Sequence, residues 1–284
     1  MSVQTLSKTI KKPLFTGVLI LSALLSFAQD NWQEVKKNGQ GNLEVYIQEE
    51  FPFAYYEGDK LIGIEVDMLH NFVKWAKIRH GVDINLEMHV EKEFFKVFDA
   101  VKQNQNTLGS ASITITDERK QEVDFSAPYL KNKSVLVSPL SFETLSSYSD
   151  FSTVFSEGTA VVIRETTHEK ELMSIKQKHF NEMVVDYQWT TNEIRKALST
   201  NEDFYTMIDL LTFWNWVRDG ELGMKVHRVA TVEKEEFAFA VSKNSDWTPI
   251  LNEFFEGGFG FTASRDYLNI LETYLPEEVL SEVR

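Results

Sequence analysis

The residues best placed to do chemistry lie in one stretch, ASITITDERKQEVDFSAPYL, residues 111–130. Ser112, Ile113, Thr114, Ile115 and Thr116 alternate hydroxyl with β-branched apolar side chains, the period of a strand. Thr116, Asp117 and Glu118 break the alternation, and their side-chain oxygens can cap free backbone N–H groups at a turn or a first helical turn. Arg119 follows at once. Its planar fork of donors, beside hydroxyls and unpaired N–H groups at a strand end, makes a receptor for a carboxylate. The alternative for the same residue is a surface arginine after an ordinary turn. A second group is Asp209, which closes the run FYTMID at 204–209. A carboxylate at the C-terminal end of a strand in an α/β sheet lies on the usual ligand edge. The competing role is a cap for the helical pattern at 210–217, and the two are compatible.

A third cluster is Arg164, Glu165, Thr166, Thr167 and His168. No second His or Cys stands at ligand spacing from His168, so no metal site is expected there and His168 reads as a loop residue. Glu65 and Asp67 open a helical pattern, where the helix dipole favours acids; that role is preferred to a ligand or metal role.

Strands and helices alternate around these groups. Residues 43–47 and 84–90 alternate as strands, and residues 159–163 are a continuous apolar run of the kind buried parallel strands show. Helical spacing marks Leu69, Phe72, Val73 and Ala76, then 94–101, 170–180, 191–198 with a Thr cap at its start, 210–217, 247–255 and 267–274. Further strands are expected at 134–137, 184–187 and 236–241. Residues 142–155, rich in Ser and aromatics, suit a surface helix or loop. Trp214 and Trp216 are flanked by Leu210, Leu211, Phe213 and Val217, which favours a core role over a stacking platform. The Gly cluster at 257–260 lacks the lysine and spacing of a phosphate loop. The alternation specifies the α/β class.

The N-terminus has the form of an export signal. Lys8, Lys11 and Lys12 precede an apolar run at 13–25, then Ser26, Phe27 and Ala28, so cleavage is expected near Ala28. The run is shorter than the ~20 residues of a spanning helix. The chain has no Cys, which excludes disulfides and a lipid anchor attached through cysteine. Loss of three lysines and no acid takes the net charge from −14 to −17. That charge argues against nucleic acid or anionic lipid as the main partner.

The stretch ITITDERKQEVDFSAPY, with PFAYYEGDKLIGIEVDM at 52–68, resembles the bacterial extracellular (type 3) solute-binding proteins, relatives of ionotropic glutamate receptor ligand-binding domains. The resemblance covers nearly the whole mature chain. It implies a two-lobed periplasmic-binding-protein type II fold, with two crossing strands as hinge. After the signal at 1–28, lobe one would comprise 29–137 and 237–284, and lobe two 138–236. The implied ligand is a small α-amino acid. Arg119 would grip its carboxylate, helped by the Ser112 and Thr114 region, Asp209 would take its ammonium, and Thr167 would close from the second lobe. Phe94 would lie against the ligand, or simply in the core. Selectivity would come from the loop 48–51 with Phe51, and from Phe94, Arg164 and His168. In relatives the turn before Thr167 carries a Gly, whose expected position here is Thr166. No cofactor, metal or catalytic residue is implied. The expected partners are the amino acid and an ABC-type permease, for a monomer in the periplasm. The rivals are a stand-alone sensor and a cyclohexadienyl-dehydratase-like enzyme on the same fold. Some lytic transglycosylases also carry this fold, joined to a catalytic domain for which this chain is too short.

Overall fold

The computed structural model describes residues 30–218, 220 and 223–283. The expected signal peptide and its cleavage point lie outside them. Asn31 opens α1 (Trp32–Asn38) with a capping box to Glu34, and Gly39 ends it in the left-handed region. The sequence marks no helix here, because about two capped turns carry too short an apolar period to stand out. Next come β1 (Gln40–Gln48), the hairpin β2 (Tyr55–Glu57) and β3 (Lys60–Ile62), α2 (Ile64–His80), β4 (Asp83–Glu91), α3 (Phe94–Gln103) and β5 (Thr107–Thr114). The chain continues through α4 (Arg119–Glu122), β6 (Asp124–Phe125) and the long β7 (Leu130–Pro139). Then follow α5 (Phe151–Val154), β8 (Thr159–Ile163), α6 (Thr167–His179), β9 (Val184–Gln188), α7 (Thr191–Thr200), β10 (Phe204–Asp209) and α8 (Leu210–Arg218). The longest strand, β11 (Met224–Val241), leads to α9 (Trp247–Glu256), α10 (Arg265–Tyr274) and α11 (Glu277–Val283).

These strands make two parallel groups joined by an antiparallel pair. In the first lobe β1 lies between parallel β4 and β5. In the second, β8 lies between parallel β9 and β10. Between the groups run β7 and β11, antiparallel and paired from Leu130↔Phe237 to Met224↔Pro139. Strand β5 attaches to the C-terminal part of β11, and β10 attaches to β7. Two strands thus carry all the sheet continuity between lobes, with register breaks in β11 between Val226 and Thr231 and between Val232 and Glu235.

Each lobe has its own core. The first centres on Phe53, Phe72, Phe237, Phe239, Trp247 and Phe255. The second is built on Phe151, Phe155, Leu172 and Tyr205. The stretch 142–155 is therefore more than a surface element: Phe151 and Phe155 are fully buried and anchor it to the second lobe. Trp216 is buried and Trp214 packs against the first core, so neither is a stacking platform. Helix α7 is capped by Thr190, with Glu193 closing the capping box, rather than by Thr191. No helix among the described residues is long and apolar enough to cross a membrane.

Candidate functional site

Arg119 is placed by three local features. Thr116 Oγ1 accepts its backbone N–H at 3.1 Å, which starts the short helix α4 directly after β5. Its guanidinium lies over the rings of Phe94 and Phe98, 4.9 and 5.4 Å from their centroids, a cation–π platform supplied by the first turns of α3. Nη1 donates to the Thr114 carbonyl at 3.0 Å. Nη2 reaches across the cleft to the Glu165 carbonyl at 3.3 Å. Burial pulls its pKa down to about 10, which leaves it charged at neutral pH. Two of its five N–H donors are thus engaged in these bonds, and the guanidinium remains a charge on a cleft wall.

Behind Arg119 stands Glu65, in the first turn of α2 as expected, yet fully buried. It accepts from Ser110 Oγ at 2.6 Å, from the Ser112 N–H at 2.8 Å and from the Tyr129 hydroxyl. Burial raises its pKa, and the three donors oppose that rise. Glu65 is therefore a clamp on β5. It holds Ser112 in the left-handed region at φ 42°, where a residue with a side chain is rarely found.

Asp209 ends β10 opposite Ser134 of β7. Asn132 Nδ2 donates to its Oδ1 at 2.5 Å, and His168 Nε2 lies 3.4 Å from the same oxygen. Among the described residues no side chain bonds to Oδ2. Glu235 of β11 pairs in register with Asn132 and accepts from Asn132 Nδ2 at 3.0 Å and Ser134 Oγ at 2.9 Å. Burial would lower the pKa of His168, but the carboxylates of Asp209, Glu235 and Glu171 outweigh it and push it up to about 9. Burial raises Glu171 to about 7 and also raises Glu235. His168 is thus drawn toward the imidazolium form, as counter-ion to Asp209 of β10, Glu235 of β11 and Glu171 of its own helix. Its ring nitrogen and one oxygen each of Asp209 and Glu235 lie within 4.8 Å of one another, close enough to hold a metal ion in place of the proton.

Arg119 from the first lobe and Asp209 from the second line one cleft. Ser112, Thr114, Phe94 and Thr167 line it too. Phe94 lines the cleft, and its buried ring supports Arg119 and stacks on Phe98. Arg164 and Phe51 do not line it. Arg164 is exposed, with its guanidinium 3.7 Å over the Tyr187 ring. Phe51 packs on Tyr55 and under Arg218. The loop 48–51 expected to give selectivity lines the cleft through Gln48 and Glu50, and the residues that sequence reading passed over are Thr191 and Met207, together with His168 as an ion-pair partner. Glu235 and Asn132 belong beside them. The strands expected at 134–137 and 236–241 stop short of both residues, and the register that sets Asn132 opposite Glu235 was not legible.

Thr166 caps α6 through Glu169 N at 3.2 Å, in an extended conformation. The left-handed backbone that suits a glycine falls one residue earlier, at Glu165 with φ 64°. The departure from the family's Gly is therefore at Glu165, correcting the sequence placement at Thr166.

Residues 43–275 match the model of the bacterial extracellular solute-binding proteins, family 3. The chain belongs to this family. It is similar to a probable histidine-binding protein of Campylobacter jejuni, 25% identical over 48% of this chain and 50% of that one. It is also 33% identical to the arginine-binding extracellular protein ArtP of Bacillus subtilis, over 31% of each chain. These matches span about half or less of the curated relatives' length. Among solved structures, an ABC uptake transporter substrate-binding protein from Streptococcus pneumoniae with bound histidine superposes with a TM-score of 0.70. The identity is 19%, over 88% of this chain and 98% of that one, a likeness of fold. The family's two-lobed type II architecture is the one described above.

Proposed function

We propose that this chain is an exported, periplasmic solute-binding protein that closes on a small α-amino acid and presents it to an ABC-type permease. The lobes would be 29–137 with 237–284, and 138–236, hinged on β7 and β11. The observation that carries the reading is the pairing of a buried arginine on one wall of the cleft with an aspartate on the other. A ligand carboxylate takes the fork of Arg119, beside the hydroxyls of Ser112 and Thr114, and Thr167 meets it from α6. The ammonium takes Oδ2 of Asp209, since Asn132 and His168 both engage Oδ1. The names of the Campylobacter and Bacillus relatives, histidine- and arginine-binding, support an amino acid, and the Streptococcus protein's description supports transport.

A thermal-shift screen of ligand-stripped mature protein against the amino acids, dicarboxylates and amines tests this. A ligand at 100 times its Kd adds about 2.7 kcal/mol of stability. One or more amino acids should raise the midpoint, and Arg119→Ala and Asp209→Ala should each abolish the shift. A shift with amines or carboxylates alone contradicts the reading. A second reading, a dehydratase-like enzyme, draws on one observation: Glu50 in the cleft has its pKa raised by burial to about 8 and can act as an acid at neutral pH. Turnover of prephenate or arogenate would establish it, and its absence would leave the binding role.

A further inference from the structure

Three buried side-chain atoms that make no hydrogen bond lie on neighbouring residues around Asp209 and Glu235: His168 Nε2, Asn132 Oδ1 and Glu171 Oε2. Asn132 touches both acids, His168 touches Asp209, and Glu171 follows His168 by one turn of α6. Asn132 is 2% exposed and Glu235 6%, so solvent does not serve these atoms. Buried polar atoms are ordinarily paired, and three together point to a ligand. The amide and carboxylate oxygens offer only lone pairs, as does an imidazole nitrogen without its proton. A partner common to all three is therefore a cation.

The spacing fits a metal ion. His168 Nε2 lies 3.4 Å from Asp209 Oδ1 without bonding to it. Two donors on one tetrahedral zinc, each about 2.0–2.2 Å from the metal, stand about 3.3–3.5 Å apart. His168 Nε2 and one oxygen each of Asp209 and Glu235 all fall within 4.8 Å of one another. Asn132 Nδ2 reaches the two acids at 2.5 and 3.0 Å. A half-turn of that amide exchanges Nδ2 for the unpartnered Oδ1, an orientation that is favourable beside two carboxylates only with a cation between them.

The frame is rigid. Glu235 and Asn132 face each other in register on β11 and β7, Asp209 ends β10 against Ser134 of β7, and His168 sits in the first turn of α6. Three acids act on one imidazole, a balance that a dication meets better than a proton. The imidazole sets the class of ion, because magnesium and calcium take oxygen ligands.

We propose that His168, Asp209 and Glu235 form a site for a divalent transition-metal cation of the zinc type, with Asn132 in reach as a fourth ligand. The site does not rest on the amino-acid reading and stands or falls separately from it.

The test is calorimetric titration of mature protein, freed of small ligand and treated with chelator, with zinc alone and with magnesium alone. Zinc should bind one to one and magnesium should not. His168→Gln and Glu235→Gln should each weaken zinc at least tenfold. His89→Gln, which removes a half-exposed imidazole beside Glu44, should leave it unchanged. In zinc-soaked crystals of the unaltered protein, an anomalous peak should lie between His168, Asp209 and Glu235, so misfolding of a variant leaves the outcome decided. No zinc binding, magnesium binding as tightly as zinc, loss in His89→Gln instead, or anomalous peaks at surface histidines alone would overturn the site.

Discussion

At the residue scale the site is a set of charges placed where water cannot easily reach them. Glu50 and Glu171 are raised by burial to about 8 and about 7 from 4.5. His168, which burial would lower, is carried from 6.5 to about 9 by Asp209 and its acidic neighbours. In all three the folded chain keeps a proton that the unfolded chain has released. Each contribution is whole below the unfolded value and is lost as pH rises through the folded one. His227, buried and lowered to about 4, has finished titrating by neutral pH and takes no part above it. The melting midpoint of the ligand-free protein should therefore fall between pH 7 and pH 9 at constant ionic strength, and fall less in His168→Gln. A midpoint that holds or rises over that range contradicts the assignment. Arg119 and Asp209 stood out because one comes shortly after a strand and the other closes one, and the roles expected of them came from the family resemblance. His168 was not, because nothing in residues 164–168 tells that α6 begins at Thr167 and turns the imidazole toward a carboxylate 41 positions on.

At the scale of elements, the arrangement depends on how β5 is held. Its last residues carry Ser112 and Thr114 to the cleft, and Glu65 of α2 fastens the strand from behind. Removing that carboxylate leaves Ser110, the Ser112 N–H and the Tyr129 hydroxyl buried without an acceptor. Glu65→Ala should cost about 2–4 kcal/mol in chemical denaturation. Glu65→Gln should cost less than about 1.5 kcal/mol, since its carbonyl can keep Ser112 and Tyr129 while the Ser110 hydroxyl turns to accept. Equal losses for the two would show that Glu65 acts by volume alone. Element positions were largely readable from periodicity, which marks β1, β4, β8, β10 and the helices between them. Periodicity could not show that β11 starts at Met224, because its first two thirds run MKVHRVATVEKE, where charge interrupts the apolar alternation and the pairing partner β7 supplies the order instead. Nor could a strand reading assign Glu65 its clamp, which exists only when α2 packs on β5.

At the scale of the whole molecule, two cores share a pair of crossing strands, and side chains of the described residues also tie the lobes. Arg119 reaches the Glu165 carbonyl, Glu118 pairs with Lys170, and Phe95 lies 5.8 Å from Trp189. Glu118 and Lys170 are both largely solvent-exposed, so their pair is screened and weak. On the proposed reading closure depends on what fills the cleft, and a ligand shifts an open–closed equilibrium only by its preference for the closed form. On that reading an amino acid would supply that preference by bridging Arg119 on one lobe and Asp209 on the other. The most direct test is a titration with the tightest-binding amino acid, its decarboxylated amine and its desamino acid. The account predicts that each analogue, lacking one head group, binds at least about 100-fold more weakly, a loss of roughly 2.7 kcal/mol. Either analogue binding as tightly as the parent amino acid would contradict it.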